Sequence, residues 1–212
     1  MSANDSHPTT PTEKLTLTDH LRRLAVPVID PIVTVLARLG FSPDTLTVVG
    51  FLFHFLFAYL IAVGEFRWAA VAIAAISPLD ALDGSLARKL GHTQGGFGAF
   101  LDSTLDRVAE IVLFGGFILY YVAEGDAVML GIAYAAITGS LMVSYARARA
   151  EALGLSAKIG ILGRVERYLL LTLALFFLVP AWGLVILAVM TYFTFGQRMW
   201  HVYKQTAGAR AP

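Results

Sequence analysis

Apolar runs of transmembrane length recur along this chain, set apart by short polar or glycine-containing turns. A helix rises about 1.5 Å per residue, so roughly 20 apolar residues cross a hydrocarbon core of ~30 Å. The pattern predicts six such spans, at about 45–64, 66–90, 96–122, 127–153, 164–180 and 182–203. Gly64, "GHTQGG", "AEGD" at 123–126, "LSAKIGILGR" and Pro180-Ala181 supply the connections. "SPD" at 42–44 reads as a helix start, with Ser42 as N-cap and Pro43 in the first turn.

Upstream, residues 17–39 are apolar but interrupted by Asp19, His20, Arg22, Arg23, Asp30 and Arg38, and broken by Pro27 and Pro31. A helix lying along the membrane surface and a poor transmembrane helix both fit, and the charges favour the first. The expected fold is therefore all-α: an integral membrane protein of six transmembrane helices behind an N-terminal interfacial helix. Its parts are a disordered tail (1–16), the interfacial helix (17–40), the membrane domain (41–204) and a basic C-terminal tail (205–212).

Charge placement orients this plan. With the amino terminus in the cytoplasm, the turns at 64–67, 123–126 and 180–181 face outward, and of the 16 lysines and arginines only Arg67 lies there. The positive-inside rule then places both termini in the cytoplasm. The expected location is the cell's inner membrane, with the active site on the cytoplasmic side. Composition agrees: 57% of residues are hydrophobic and 15% charged, well below the quarter usual in soluble domains. The opening "MSANDSHPTTPTEK" lacks the apolar stretch of a cleavable signal. Cysteine is absent, which excludes disulfides, thiolate nucleophiles and Cys-based metal sites. No nucleic-acid partner is expected.

Against this background "SPLDALDGSLARKLGHTQGGFGAFLDSTLDR", residues 77–107, is costly. A charged side chain at a bilayer centre costs about 2.5–3.5 kcal/mol even on the mild insertion scale. Asp80 and Asp83 are three apart and Asp102 and Asp106 four apart, so each pair shares a helical face. Two antiparallel helices joined by a glycine turn can aim both faces at one point, where four carboxylates would repel unless divalent cations lay between them. Oxygen-only ligands suit Mg²⁺, Mn²⁺ or Ca²⁺, and two such ions form a clamp for displacement at phosphorus. Glycines 84, 95, 96 and 98 would let a ligand approach the backbone.

The same residues resemble the signature of the CDP-alcohol phosphotransferases, D-x2-D-G-x2-A-R followed by G-x3-D-x3-D. Asp80, Asp83, Gly84, Ala87, Arg88, Gly98, Asp102 and Asp106 match its fixed positions. The resemblance implies a six-span enzyme that takes a CDP-linked lipid and exchanges CMP for an alcohol at a site of two divalent cations, Mg²⁺ or Mn²⁺. By the same resemblance Asp80, Asp83 and Asp102 ligate metal, while Asp106 ligates the second ion and is the general base on the acceptor hydroxyl. Gly84, Ala87, Arg88 and Gly98 fall to the CDP-lipid, as do Asp44 and Thr47 of "SPDTLT", although capping also explains the latter stretch. CDP-diacylglycerol is the expected donor, and relatives suggest a homodimer.

A second polar cluster bears on the acceptor. Ser144 and Arg147 lie in "SYARARAEALG", Arg164 and Arg167 in "GRVER", and Arg198 in "FGQRMWHVYK". Positive-inside bias explains their number, but less well an arginine set several residues inside the last span. Arginines from three helices in one cavity would suit a phosphate on the acceptor. The cluster resembles the phosphatidylinositol-phosphate synthase branch and its archaeal ether-lipid counterpart, which assigns Ser144, Arg147, Arg167 and Arg198 to that phosphate. Gly163 and Val165 depart from the branch's usual "ERPER". Inositol phosphate is the expected acceptor and glycerol 3-phosphate the alternative.

A cation-coupled transporter would also place carboxylates in a membrane. Here, however, all four acids sit near one face and none is at mid-depth. The five histidines share no ligand spacing and read as non-catalytic, and Glu110 reads as a residue that pairs helices.

Overall fold

The computed structural model describes residues 31–77, 79–91 and 96–208, without the side chains of Leu79, Asp80, Ala81 and Asp83. The expected tail at 1–16, most of the interfacial segment and the end of the basic tail lie outside the described residues. All regular structure among the described residues is helical: α1 (31–38), α2 (Pro43–Ala62), α3 (Phe66–Ile76), α4 (Leu79–Lys89), α5 (Phe97–Glu124), α6 (Ala127–Ala152), α7 (Arg164–Phe176) and α8 (Pro180–Gly208).

Local chemistry sets the boundaries. Ser42 caps α2, its hydroxyl accepting from the Thr45 amide at 3.1 Å, and Pro43 occupies the first turn, where its missing N–H costs nothing. Gly125 ends α5 at φ 70°, and Asp126 caps α6 by accepting from the Val128 and Met129 amides, so "AEGD" reverses the chain.

Two expectations change. The predicted span at 66–90 is two helices of 11 residues each, α3 and α4. α3 ends at Ile76, and Ser77 caps it, its amide donating to the Ile73 carbonyl at 2.8 Å. The turn placed at Pro180-Ala181 instead occupies Phe177–Val179, with Leu178 at φ 59°, and Pro180 opens α8, the place a proline tolerates best.

Among the described residues, three helices are long and apolar enough to cross a membrane: Pro43–Ala62, Ala127–Ala152 and Pro180–Ala207. α5 has 28 residues, about 42 Å of rise, but carries Asp102, Asp106, Arg107 and Glu110 in its first half. α7 has only 13 residues, about 20 Å.

Packing closes α2, α5, α6, α8, α7 and α3 into a ring in that order, with α4 seated on α2. The apolar core fills one half, where Phe57, Ile61, Ile73, Leu113, Phe117, Ala136, Leu175 and Leu184 meet. Glycines bring backbones together there. A Cβ at Gly116 would run into the backbone of Ala58, and one at Gly183 would lie 2.5 Å from the Ala174 methyl. At the opposite end Val33, Leu46, Leu82 and Leu86 form a smaller cluster that fixes α4 against α1 and α2.

Candidate active site

The ring's second half gathers the starts of α2, α5 and α7, the ends of α6 and α8, and α4. Every residue expected to do chemistry comes from these segments. Asp80, Asp83, Gly84, Ala87 and Arg88 lie on α4, and the Arg88 guanidinium donates to the Ser85 hydroxyl at 2.9 Å. α4 and α5 both pack on α2. Gly96 opens α5 at φ 84°, a conformation that suits glycine. Gly98 follows, and a Cβ there would lie 3.0 Å from Oδ1 of Asp44. The Asp44 carboxylate therefore rests against bare backbone, so two of the expected CDP-lipid contacts are neighbours. Thr47, the third, returns its hydroxyl to the Pro43 carbonyl at 3.2 Å.

Asp102 and Asp106 occupy consecutive turns of α5. Asp106 is largely buried, with 14% of its side chain exposed, and its Oδ2 accepts from Arg164 Nη1 at 2.6 Å, while Arg107 Nη1 stands 3.7 Å away. A small cleft beside it is lined by Thr47, Phe51, His54, Leu105, Asp106, Ala109 and Arg164.

One turn deeper, Glu110 is buried and takes three hydrogen bonds on Oε1: from Arg167 Nε at 3.1 Å, Arg167 Nη2 at 3.0 Å and the Ser140 hydroxyl at 2.6 Å. Its other oxygen, Oε2, has no hydrogen-bond partner. Arg167 Nη2 also reaches Ser144 Oγ at 3.5 Å. Arg198, likewise buried, donates to the carbonyls of Ile159 at 2.9 Å and Val143 at 2.6 Å, and it interacts electrostatically with Arg147 and Arg167. Arg147 pairs with Glu151 at 2.9 Å. The structure thus brings Ser144, Arg167 and Arg198 together, with Arg147 beside them, and each of the three guanidinium groups already holds a protein oxygen.

Sequence reading missed two features. Arg164 was grouped with the basic cluster, whereas it sits on Asp106. The second is the place of His54, whose sequence context reads as non-catalytic: it is buried beside the cleft, Nδ1 3.0 Å from the Gly50 carbonyl and Nε2 3.0 Å from the Tyr168 hydroxyl. Its only signal was one polar residue inside "GFLFHFLFAYL". The departure at Gly163 also acquires a local reading. Gly163 caps α7, and a Cβ there would lie 2.6 Å from the Glu166 carboxylate, which folds back over the helix start.

Among the described residues, no three histidine or acidic side chains lie close enough to share a metal, and the Asp80 and Asp83 side chains are outside that description. The donor set fits hard divalent cations, since carboxylate oxygen is the only ligand type it offers.

The family model for CDP-alcohol phosphatidyltransferase matches residues 41–196. The archaetidylinositol phosphate synthase of Pyrococcus horikoshii is 38% identical over 172 residues, covering 80% of this chain and 88% of that protein. The crystal structure of Mycobacterium tuberculosis phosphatidylinositol phosphate synthase with CDP-DAG bound superimposes with a TM-score of 0.77 at 28% identity, covering 84% of this chain and 94% of that one. The same synthase in complex with manganese and citrate gives 0.76 at 29% identity, covering 82% and 88%.

Proposed function

Because the chain belongs to the CDP-alcohol phosphatidyltransferase family, a family of metal-dependent transferases, we propose that it moves a phosphatidyl group from CDP-diacylglycerol to a hydroxyl of inositol phosphate and releases CMP. The observation that carries the choice of a phosphorylated acceptor is the pairing of α5 with α7. Asp106 and Glu110, one turn apart, meet Arg164 and Arg167, so the candidate base lies one helical turn from the buried arginine cluster. An acceptor phosphate held by Ser144, Arg147, Arg167 and Arg198 would present its hydroxyl near Asp106, and would add an anion to guanidinium groups that now share protein oxygens.

In this reading the acceptor hydroxyl attacks the phosphorus that carries diacylglycerol. A new P–O bond forms, the anhydride bond breaks, CMP leaves with the bridging oxygen, and the hydroxyl proton passes to Asp106. Asp44 and Thr47, with Gly98 and the Gly84–Arg88 turn of α4, would hold the cytidine diphosphate. Asp80, Asp83, Asp102 and Asp106 would hold two divalent cations, Mg²⁺ or Mn²⁺, whose chemistry is to neutralise diphosphate charge during transfer. Proton acceptance by Asp106 depends on where its carboxylate is held. Six spans with both termini in the cytoplasm, a site at the inner leaflet of the cell membrane, and the homodimer suggested by the family resemblance belong to the same proposal. The lysine and arginine distribution supports the orientation.

The test offers inositol phosphate, glycerol 3-phosphate, free inositol and serine side by side, with CDP-diacylglycerol and Mg²⁺ or Mn²⁺. CMP release with inositol phosphate alone is expected, and Asp106→Asn should still bind the CDP-lipid while losing turnover. Preference for glycerol 3-phosphate would reassign the acceptor. A fully active Asp106→Asn would reassign the base.

A further inference from the structure

We propose that Arg164 is a positioning residue for Asp106, orienting its carboxylate and holding down the affinity of that carboxylate for divalent cations. The inference rests on the reading of Asp106 as base and metal ligand. Arg164 is the first residue of α7, and its Nη1 donates to Asp106 Oδ2 at 2.6 Å, a charge-assisted bond across the ring.

The arginine is braced. Its guanidinium lies over the Tyr168 ring, 5.6 Å from the centroid and one turn further along α7. The Tyr168 hydroxyl in turn meets His54 Nε2 at 3.0 Å, and His54 Nδ1 lies 3.0 Å from the Gly50 carbonyl of its own helix. A proton on Nδ1 donated to that carbonyl leaves Nε2 to accept from the tyrosine, so both ring nitrogens are used. Thus α2 fixes the tyrosine, the tyrosine fixes the arginine, and the arginine fixes Asp106.

The two arginines of α7 also divide their work. Arg167 is spent on Glu110, one turn below, and Arg164 on Asp106. A guanidinium on one carboxylate oxygen leaves the other oxygen for catalysis or a cation. Its positive charge about 8 Å from a divalent ion would weaken binding there roughly five- to tenfold in water-like dielectric.

The experiment measures Mn²⁺ binding to the detergent-solubilised full chain by electron paramagnetic resonance, without CDP-lipid, beside turnover with CDP-lipid and acceptor. Arg164→Gln should bind Mn²⁺ roughly five- to tenfold more tightly and turn over at least about tenfold more slowly. Those opposite signs are the signature, because a folding defect would weaken both. Arg164→Lys, which keeps the charge, should bind Mn²⁺ within about twofold of the parent, and should serve if the glutamine variant does not fold. Unchanged or weaker Mn²⁺ binding in Arg164→Gln, or a lysine variant that binds as tightly as the glutamine one, overturns the role of Arg164 alone. A parent chain that binds no Mn²⁺ overturns the reading of Asp106 with it.

Discussion

Replacing Arg167 by methionine separates what the buried pair does for the fold from what it does for the acceptor. Arg167 and Glu110 are 4% and 2% exposed, and Oε1 of Glu110 receives two bonds from the guanidinium and one from Ser140. Arg167→Met removes two charge-assisted bonds and leaves a buried carboxylate with Ser140 as its remaining donor. Hydrogen bonds to charged groups are worth about 1.5–3 kcal/mol each, and breaking a buried pair from one side costs about 3–5 kcal/mol, so the two routes agree. At about 2–4 °C per kcal/mol for a chain of this size, thermal unfolding followed by tryptophan fluorescence in detergent should fall by roughly 10 °C. Glu110→Leu combined with Arg167→Met removes both charges, and should return to within about 1–2 kcal/mol of the parent, the residue being the orphaned Ser140 hydroxyl. Both variants should show a raised apparent KM for the phosphorylated acceptor and an unaltered one for CDP-diacylglycerol. A double variant no more stable than the single one would refute the buried-pair reasoning. A double variant that regains normal acceptor use would remove Arg167 from the phosphate site.

Three further outcomes follow from the packing. Gly116→Ala should lower stability by about 1–3 kcal/mol, because its Cβ meets the Ala58 backbone, whereas Gly115→Ala, with open space beside it, should not, and thermal unfolding of the two compares them directly. Tyr168→Phe deprives the buried His54 Nε2 of the Tyr168 hydroxyl and should cost about 1–3 kcal/mol in the same assay. Gly98→Ala places a methyl 3.0 Å from the Asp44 carboxylate and should raise the apparent KM for CDP-diacylglycerol several-fold with little effect on that for the acceptor, measured by CMP release.

The acidic motif was legible because its residues are near in sequence, and helical spacing alone puts each pair on one face. The Ser42 cap and the "AEGD" reversal were legible for the same reason. What could not be read were the partners. Arg164 lies 58 residues from Asp106, Arg167 lies 57 from Glu110, and Tyr168 lies 114 from His54. A charge pattern places all of these arginines on one side of the membrane, but it does not say which acid each will hold. That depends on how α7 seats across the ring from α5. The end of α3 at Ile76 was hidden for a different reason: the apolar run "WAAVAIAAI" carries no polar or glycine signal that marks it.

α5 shows why acceptor chemistry must stop where it does. Along one stripe of this helix come Asp102, Asp106, Glu110, Leu113, Phe117 and Tyr121, spaced by three or four residues. Exposure falls along it, from 14% for the Asp106 side chain to 2% at Glu110, 1% at Leu113 and none at Phe117. A water-soluble phosphate can follow that stripe only as far as charge is available to match it. Below Glu110 the ring is filled by apolar side chains, and a phosphate there would be buried without partners. The Glu110–Arg167 pair therefore closes the polar half of the ring one turn beneath Asp106. On the proposed function, a hydroxyl acceptor tethered to a phosphate at that level would have its reactive oxygen held at the depth of Asp106.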